Sequence, residues 1–314
     1  MCLEEFRLRN FRLTYPNGKD FAVSPWLPLP FVIGYRLLFT IYCCGWIVYS
    51  IVSASTWKWL IYLTDWTFLC VTTYFVCSSV ISIVYLVDCR GNGTNFEQGR
   101  ERAPDERASP VRHTAPGQSR KSLEGLLEEQ YYDACEDTDQ IAALERAQNA
   151  VRENADFSTR VPHADYSQTL CHKVAWFFYI IASNNSFMVT IVYWSFLYNG
   201  FKIGEADVSF HLLNSVFMLT ETCLSAVPVR LLHLVYAELY GVLYLIFTVV
   251  YWLSGGTNTN GDSFIYPIVD YKTKPYDAAG LIIMYALVGL PTCQLINFGL
   301  FKLRSYLHSL RSSR

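Results

Sequence analysis

The sequence predicts an all-α membrane protein: six transmembrane helices in one bundle, with both termini on the cytosolic side. Three observations predict it. Of the 314 residues, 52% are hydrophobic and only 17% charged, against about 25% charged in soluble domains. Apolar runs of about 20 residues recur, the length that a helix rising 1.5 Å per residue needs to cross a bilayer. The Lys and Arg residues beside those runs gather on one side, which sets the orientation.

In chain order, residues 1–30 form a polar cytosolic lead ending in the Pro-punctuated SPWLPLP, which resists helix until the membrane begins. Spans 1 and 2, about 31–54 and 59–87, occupy residues 31–87 with a tight turn between them. Residues 88–173 hold over half of the charged side chains, 11 basic and 16 acidic. That segment opens rich in Gly, Pro, Ser and charge, which predicts a largely disordered cytosolic loop. Within it, TDQIAALERAQNAVREN predicts a short helix, with Thr138 or Asp139 as N-cap and Ile141, Leu144 and Val151 as a weak apolar stripe. Ser109 and Ser122, each near basic residues, are candidate phosphate acceptors. Spans 3 to 6 occupy residues 174–303: about 174–198, a hairpin across 208–256, and about 278–303. A basic cytosolic tail, 304–314, follows.

The orientation is one-sided. With the N-terminus inside, the inner face receives Arg7, Arg9, Arg12, Lys19, Arg90, Lys173, Arg230, Lys302, Arg304, Arg311 and Arg314; the outer face has Lys58, Lys202, Lys272 and Lys274. Ten cysteines are present, but six lie in apolar spans, where free Cys behaves as a small hydrophobe. No C-x-x-C pair suggests a metal or redox site, and the first 26 residues lack the pattern of a cleaved signal peptide. The scattered basic residues, with no aromatic patch among them, argue against nucleic-acid binding. No phosphate loop, nucleophile elbow, zinc-protease or calcium motif occurs, so no cofactor is expected. Transport is disfavoured, since no matching halves or paired broken helices appear.

The fourth span carries the most information. At 100° per residue His211, Asn214, Met218, Glu221 and Ser225 share one side, and polar groups at membrane depth face a protein interior. Two layers follow from depth. Near the outer face lie Thr64, Asp65, His211 and Asn214. They read either as a hydroxyl nucleophile with its base and orienting groups, or as interhelical hydrogen-bonding glue. In the inner half lie Arg36, Glu221, Glu238, Gln294 and Asn297, read as structural polar groups, with Arg36 and Glu221 the expected ion pair. The outer loop GGTNTNGDSFIYPIVDYKTKP, dense in turn formers, either caps the bundle or meets protein partners.

The runs WFFYIIASNNSFMVTIVYWSFLYNG, HLLNSVFMLTE, VPVRLLHLVYAELYGVLYLIFTVVYWLSGGT and FIYPIVDYKTKP together resemble the rolling stone family of multi-pass membrane proteins. The resemblance implies a part in cell–cell (myoblast) fusion or differentiation and a plasma rather than an internal membrane, with the bilayer as the immediate partner. More distantly, Tyr62-Leu63-Thr64 with a polar fourth span is similar to the androgen-induced hydrolases of fatty acid esters of hydroxy fatty acids. That similarity implies an alternative, an intramembrane hydrolase of a lipid ester with Thr64 as nucleophile and His211 as base. The hydrolase pattern has two His three residues apart, whereas here the positions hold His211 and Asn214. Asn cannot be a base; it can donate to an oxyanion.

Overall fold

The computed structural model describes residues 5–53, 57–101, 166–198, 200 and 202–312. It divides into a unit of Met1–Asn95 with Tyr166–Arg314, which carries the membrane helices, and a unit Phe96–Asp165, of which only 96–101 are described. The expected helix at 138–154 and the serines at 109 and 122 lie outside the described residues.

Helix α1 is Leu29–Ser53, beginning inside the Pro-rich motif because Pro30 stands in the first turn, where no N–H is needed. A 3₁₀ turn, Trp57–Ile61, leads into α2, Leu63–Glu101. α2 therefore starts later than the apolar run. It also continues past Arg90 through Gly91 and Gly93, into the stretch whose composition predicts disorder. α3 is Leu170–Val192. α4 comprises Glu205–Val208, a π-helical turn Ser209–Leu213, and Asn214–Leu224. α5 is Leu234–Leu253, and α6 comprises Pro275–Met284, a π turn Tyr285–Gly289, and Leu290–Ser312. A third π turn, Tyr193–Leu197, extends α3.

Five of these helices are long and apolar enough to cross a membrane. α4 is not among them, since Glu205, Asp207, His211, Asn214 and Glu221 dilute its apolar content. Burial ranks the helices: 67% of the apolar window of α3 is buried, 50% of α2, and 17% each of α1, α5 and α6. α3 is the axis. Its centre, Ala182-Ser183-Asn184-Asn185-Ser186, is wholly buried, and such small polar residues let neighbouring backbones approach closely. α1 and α5 turn Leu38, Ile41, Leu239 and Leu243 outward, as lipid-facing helices do.

The bundle has two unlike ends. At one, residues 5–28 form a strap under the helices. Trp26 Nε1 donates to the Cys223 carbonyl at 3.0 Å, Ala226 N to Val23 at 2.9 Å, and Gly18 N to Tyr166 at 2.7 Å. At the other end, residues 254–274 form a cap. α5 stops where Gly255 takes φ +75°, the left-handed C-terminal position that glycine suits. Asn258 Oδ1 then accepts from Asn260 N and Asp262 N, both at 2.9 Å. Asp270 takes up the amides of Lys272 and Thr273. Lys58 Nζ fastens the cap through Thr257 Oγ1 at 2.8 Å.

Candidate functional site

Beneath the cap lies an apolar cavity of about 130 Å³, close to the ~150 Å³ at which an engineered apolar cavity stays dry and takes benzene. Four elements wall it: Thr64 from the start of α2, Val192 and Tyr193 from the end of α3, Gly241 and Tyr244 from α5, and Tyr285 from α6, under Tyr266 of the cap. The tyrosine hydroxyls point away from the hydrocarbon because each has a partner. Tyr244 OH donates to the Ile61 carbonyl at 2.8 Å, and Leu63 N donates to Tyr266 OH at 2.9 Å and to Tyr244 OH at 3.0 Å. Tyr266 also shares a hydrogen bond with Thr64; burial pushes its phenol up to about 12, so it stays neutral. Tyr285 OH donates to Asn185 Oδ1 at 2.5 Å.

The sequence-derived outer layer separates into individual partners. Thr64 borders the cavity; His211 does not. The imidazole lies flat on the Tyr193 ring, centroids 3.5 Å apart and planes within 2°, so Tyr193 presents one face to His211 while lining the cavity. His211 Nδ1 is buried without a hydrogen bond. Asn214 Oδ1 accepts from Ser215 N at 2.6 Å and from Thr190 Oγ1 at 3.4 Å, while its Nδ2 has no partner. Asp65 occupies the first turn of α2, where a carboxylate favours the helix dipole. No hydrogen bond joins Thr64, His211 and Asn214 to one another.

The physical cause is the π turn. A uniform 100° step places His211 above Asn214 and Glu221, but residues 209–213 wind wider, and Ser209 and Phe210 take the buried face instead. Sequence periodicity could not show this. It also missed Tyr193 and Tyr285, each the first residue of a π turn bordering the cavity. Such turns are frequent at functional sites.

The inner layer forms two hydrogen-bonded groups, one around Arg36 and Glu221 and one around Asn184. Arg36 and Glu221 are both fully buried, with Arg36 Nη2 2.5 Å from Glu221 Oε1 and Arg36 Nε 3.4 Å from Oε2. Tyr35 and Tyr74 hydroxyls donate to the same carboxylate at 2.8 and 2.6 Å. Arg36 Nη1 reaches Ser82 Oγ at 2.7 Å and the Phe21 carbonyl of the strap at 2.8 Å. Arg304, expected in the cytosolic tail, instead turns inward and donates to the carbonyls of Thr222 and Val227, both at 2.8 Å. The end of α4 needs those donors, since its last carbonyls have none within the helix. Gln294 accepts from Asn184 Nδ2 at 2.8 Å and donates to the Arg230 carbonyl at 2.7 Å. Asn297 approaches Asn184 at 3.5 Å. Glu238 is half-buried on α5, outside both groups. Among the described residues no His, Cys, Asp and Glu cluster suits a metal ion.

A family model described as Protein rolling stone matches residues 141–312, more than half of the chain. The chain belongs to the rolling stone family. Over 137 residues it is 29% identical to Protein rolling stone of Drosophila melanogaster, a stretch that covers 42% of this chain and 49% of that protein. The chain thus aligns with about half the length of this rolling stone relative. No solved structure matches it. The matched region holds the cap, His211 and Glu221, while Thr64 and Arg36 lie before it.

Proposed function

We propose that this rolling stone family member is a six-span plasma-membrane protein that acts, without catalysing a reaction, in cell–cell fusion or differentiation, as the family resemblance implies. α4 is the sixth span, tolerated in the membrane because its polar side is buried. The strap, residues 88–173 and the tail after 303 lie in the cytosol, and the cap faces outward. The Lys and Arg distribution supports that orientation. The cavity under the cap holds an apolar lipid chain, and the cap offers its outer surface to partners on the facing cell.

One observation carries the non-catalytic reading. Thr64 faces the apolar cavity, while the imidazole that would serve as its base is stacked behind Tyr193. General-base catalysis needs that nitrogen within about 3 Å of the hydroxyl. The test is a cell-mixing assay beside fluorophosphonate lipid labelling. Fusion that depends on the chain and survives Thr64→Ala and His211→Ala, with no Thr64-dependent labelling, supports the reading. Labelling that Thr64→Ala abolishes overturns it. A tag within 88–173 should resist protease added outside intact cells; its cleavage would refute the orientation.

A further inference from the structure

Where the strap passes α6, the surface carries an open hollow of about 210 Å³, whose walls include Glu5, Arg9, Tyr15, Arg230, Phe301 and Lys302. Three cations face one carboxylate. Arg230 is held rigidly: its Nη1 and Nη2 donate to the Arg12 and Thr14 carbonyls at 3.2 and 3.1 Å, and its guanidinium lies 5.7 Å from the Tyr15 ring and 5.1 Å from Trp176. Those hydrogen-bond and ring partners carry no charge, and the one carboxylate acting on Arg230 is Glu5. Lys302 Nζ is 3.1 Å from Glu5 Oε1 and 4.9 Å from the Phe298 ring, so the single carboxylate is taken. Arg9 is exposed and forms no ion pair among the described residues. A net charge of about two remains, converging on a space with ample room for a phosphate group.

The geometry points to a binding site for the phosphate-bearing headgroup of an anionic lipid in the leaflet at the strap end. Basic pockets at the ends of membrane helices recognise such headgroups, at about 1 kcal/mol per Lys or Arg. The helix register favours a lipid over a dissolved anion. Leu295 and Lys302 are seven residues apart and so share a face of α6, and Leu295 is 60% exposed. An acyl chain lying on Leu295 and Phe298 therefore brings its headgroup to Lys302 and into the hollow. The proposal rests on the orientation above only in placing this site at the anion-rich cytosolic leaflet; its test in detergent does not depend on orientation.

The full-length chain is purified in detergent and mixed with phosphatidylcholine, phosphatidylserine or a phosphatidylinositol bisphosphate, and retained lipid is read by native mass spectrometry. The bisphosphate lipid should be retained over phosphatidylcholine. The double substitution Arg9→Gln with Lys302→Gln should weaken retention about 25-fold, fivefold per charge, while Arg311→Gln, beyond the hollow, changes it little. Both substituted side chains are exposed, so the melting temperature reports that the variant remains folded. Equal retention of phosphatidylcholine, or retention unchanged in the folded double variant, overturns the site. If soluble inositol trisphosphate binds as tightly as the lipid, the ligand is a free anion and the lipid assignment fails.

Discussion

At the strap end, Glu221 receives Arg36, Tyr35 and Tyr74 together, and Arg304 closes a carbonyl in the last turn of α4 and one just beyond it. At the cap end, His211 Nδ1 and Asn214 Nδ2 are buried without partners beside an apolar cavity. Both ends bury polar groups and both leave some without a hydrogen bond, His172 Nε2 and His233 at the strap end among them. The difference is that the strap end buries a paired arginine and glutamate whereas the cap end borders an apolar cavity. The cap end also contains the three π turns found among the described residues. A buried ion pair with its hydrogen bonds made rigidifies, whereas π turns bordering a cavity are features frequent at functional sites. The strap end accordingly reads as the clamp that holds the bundle together, and the cap end as its working face.

Breaking the clamp should have the largest effect. Arg36→Ala or Glu221→Ala leaves a buried charge unpaired and should destabilise by about 3–5 kcal/mol, read as lost accumulation and a lower melting temperature. Replacing both at once, Arg36→Met with Glu221→Leu, should recover much of that loss, because two apolar residues need no partner. Tyr285→Phe strips the buried Asn185 of its phenol donor at a π turn and should cost about 1–3 kcal/mol in thermal unfolding.

Gly241→Ala should shift stability the opposite way. Its Cβ would stand 3.7 Å from Tyr285 and 3.9 Å from Leu290, ordinary contact distances, so the helical gain of about 0.5–1 kcal/mol should appear as a higher melting temperature. A fall would show the cavity wall to be tighter than these distances imply.

The smallest effect concerns acid. Burial alone would raise the Asp207 pKa, but donation from Tyr193 OH at 2.5 Å and Gly204 N at 2.8 Å, with His211 nearby, holds it below the ordinary carboxylate value. Its contribution is therefore complete above about pH 4, the unfolded value, and is lost as pH falls through the lower folded value. Asp207→Asn should flatten only that acidic limb of the stability curve.

Legibility followed physics along the chain. The lipid-facing helices were readable because hydrocarbon selects for long apolar runs, and a single arginine at inner-half depth, Arg36, calls for a carboxylate such as Glu221. The three π turns were not readable, since one extra residue per turn leaves no mark on composition. The turn at 209–213 accordingly sets where His211 meets the bundle, stacked on Tyr193. Arg304 looked like tail charge because counting residues cannot tell a side chain that turns back into the protein. The strap was invisible for a similar reason. It is held by backbone carbonyls such as those of Cys223 and Tyr166, which every sequence has.

The Arg36–Glu221 pair sets a condition on synthesis. The partners are 185 residues apart, so α1 enters the membrane while α4 has yet to be translated. An arginine within a lone inserting helix is costly, up to about 2.5–3.5 kcal/mol at the helix centre by insertion measurements, and less for Arg36, eight residues into α1. Ser82 and the strap carbonyl of Phe21, both made well before Glu221, are the donors' first acceptors. The nascent chain thus carries an unneutralised cation until its fourth helix arrives. A chain terminated before residue 221 is left with that cation and is a natural target for membrane quality control.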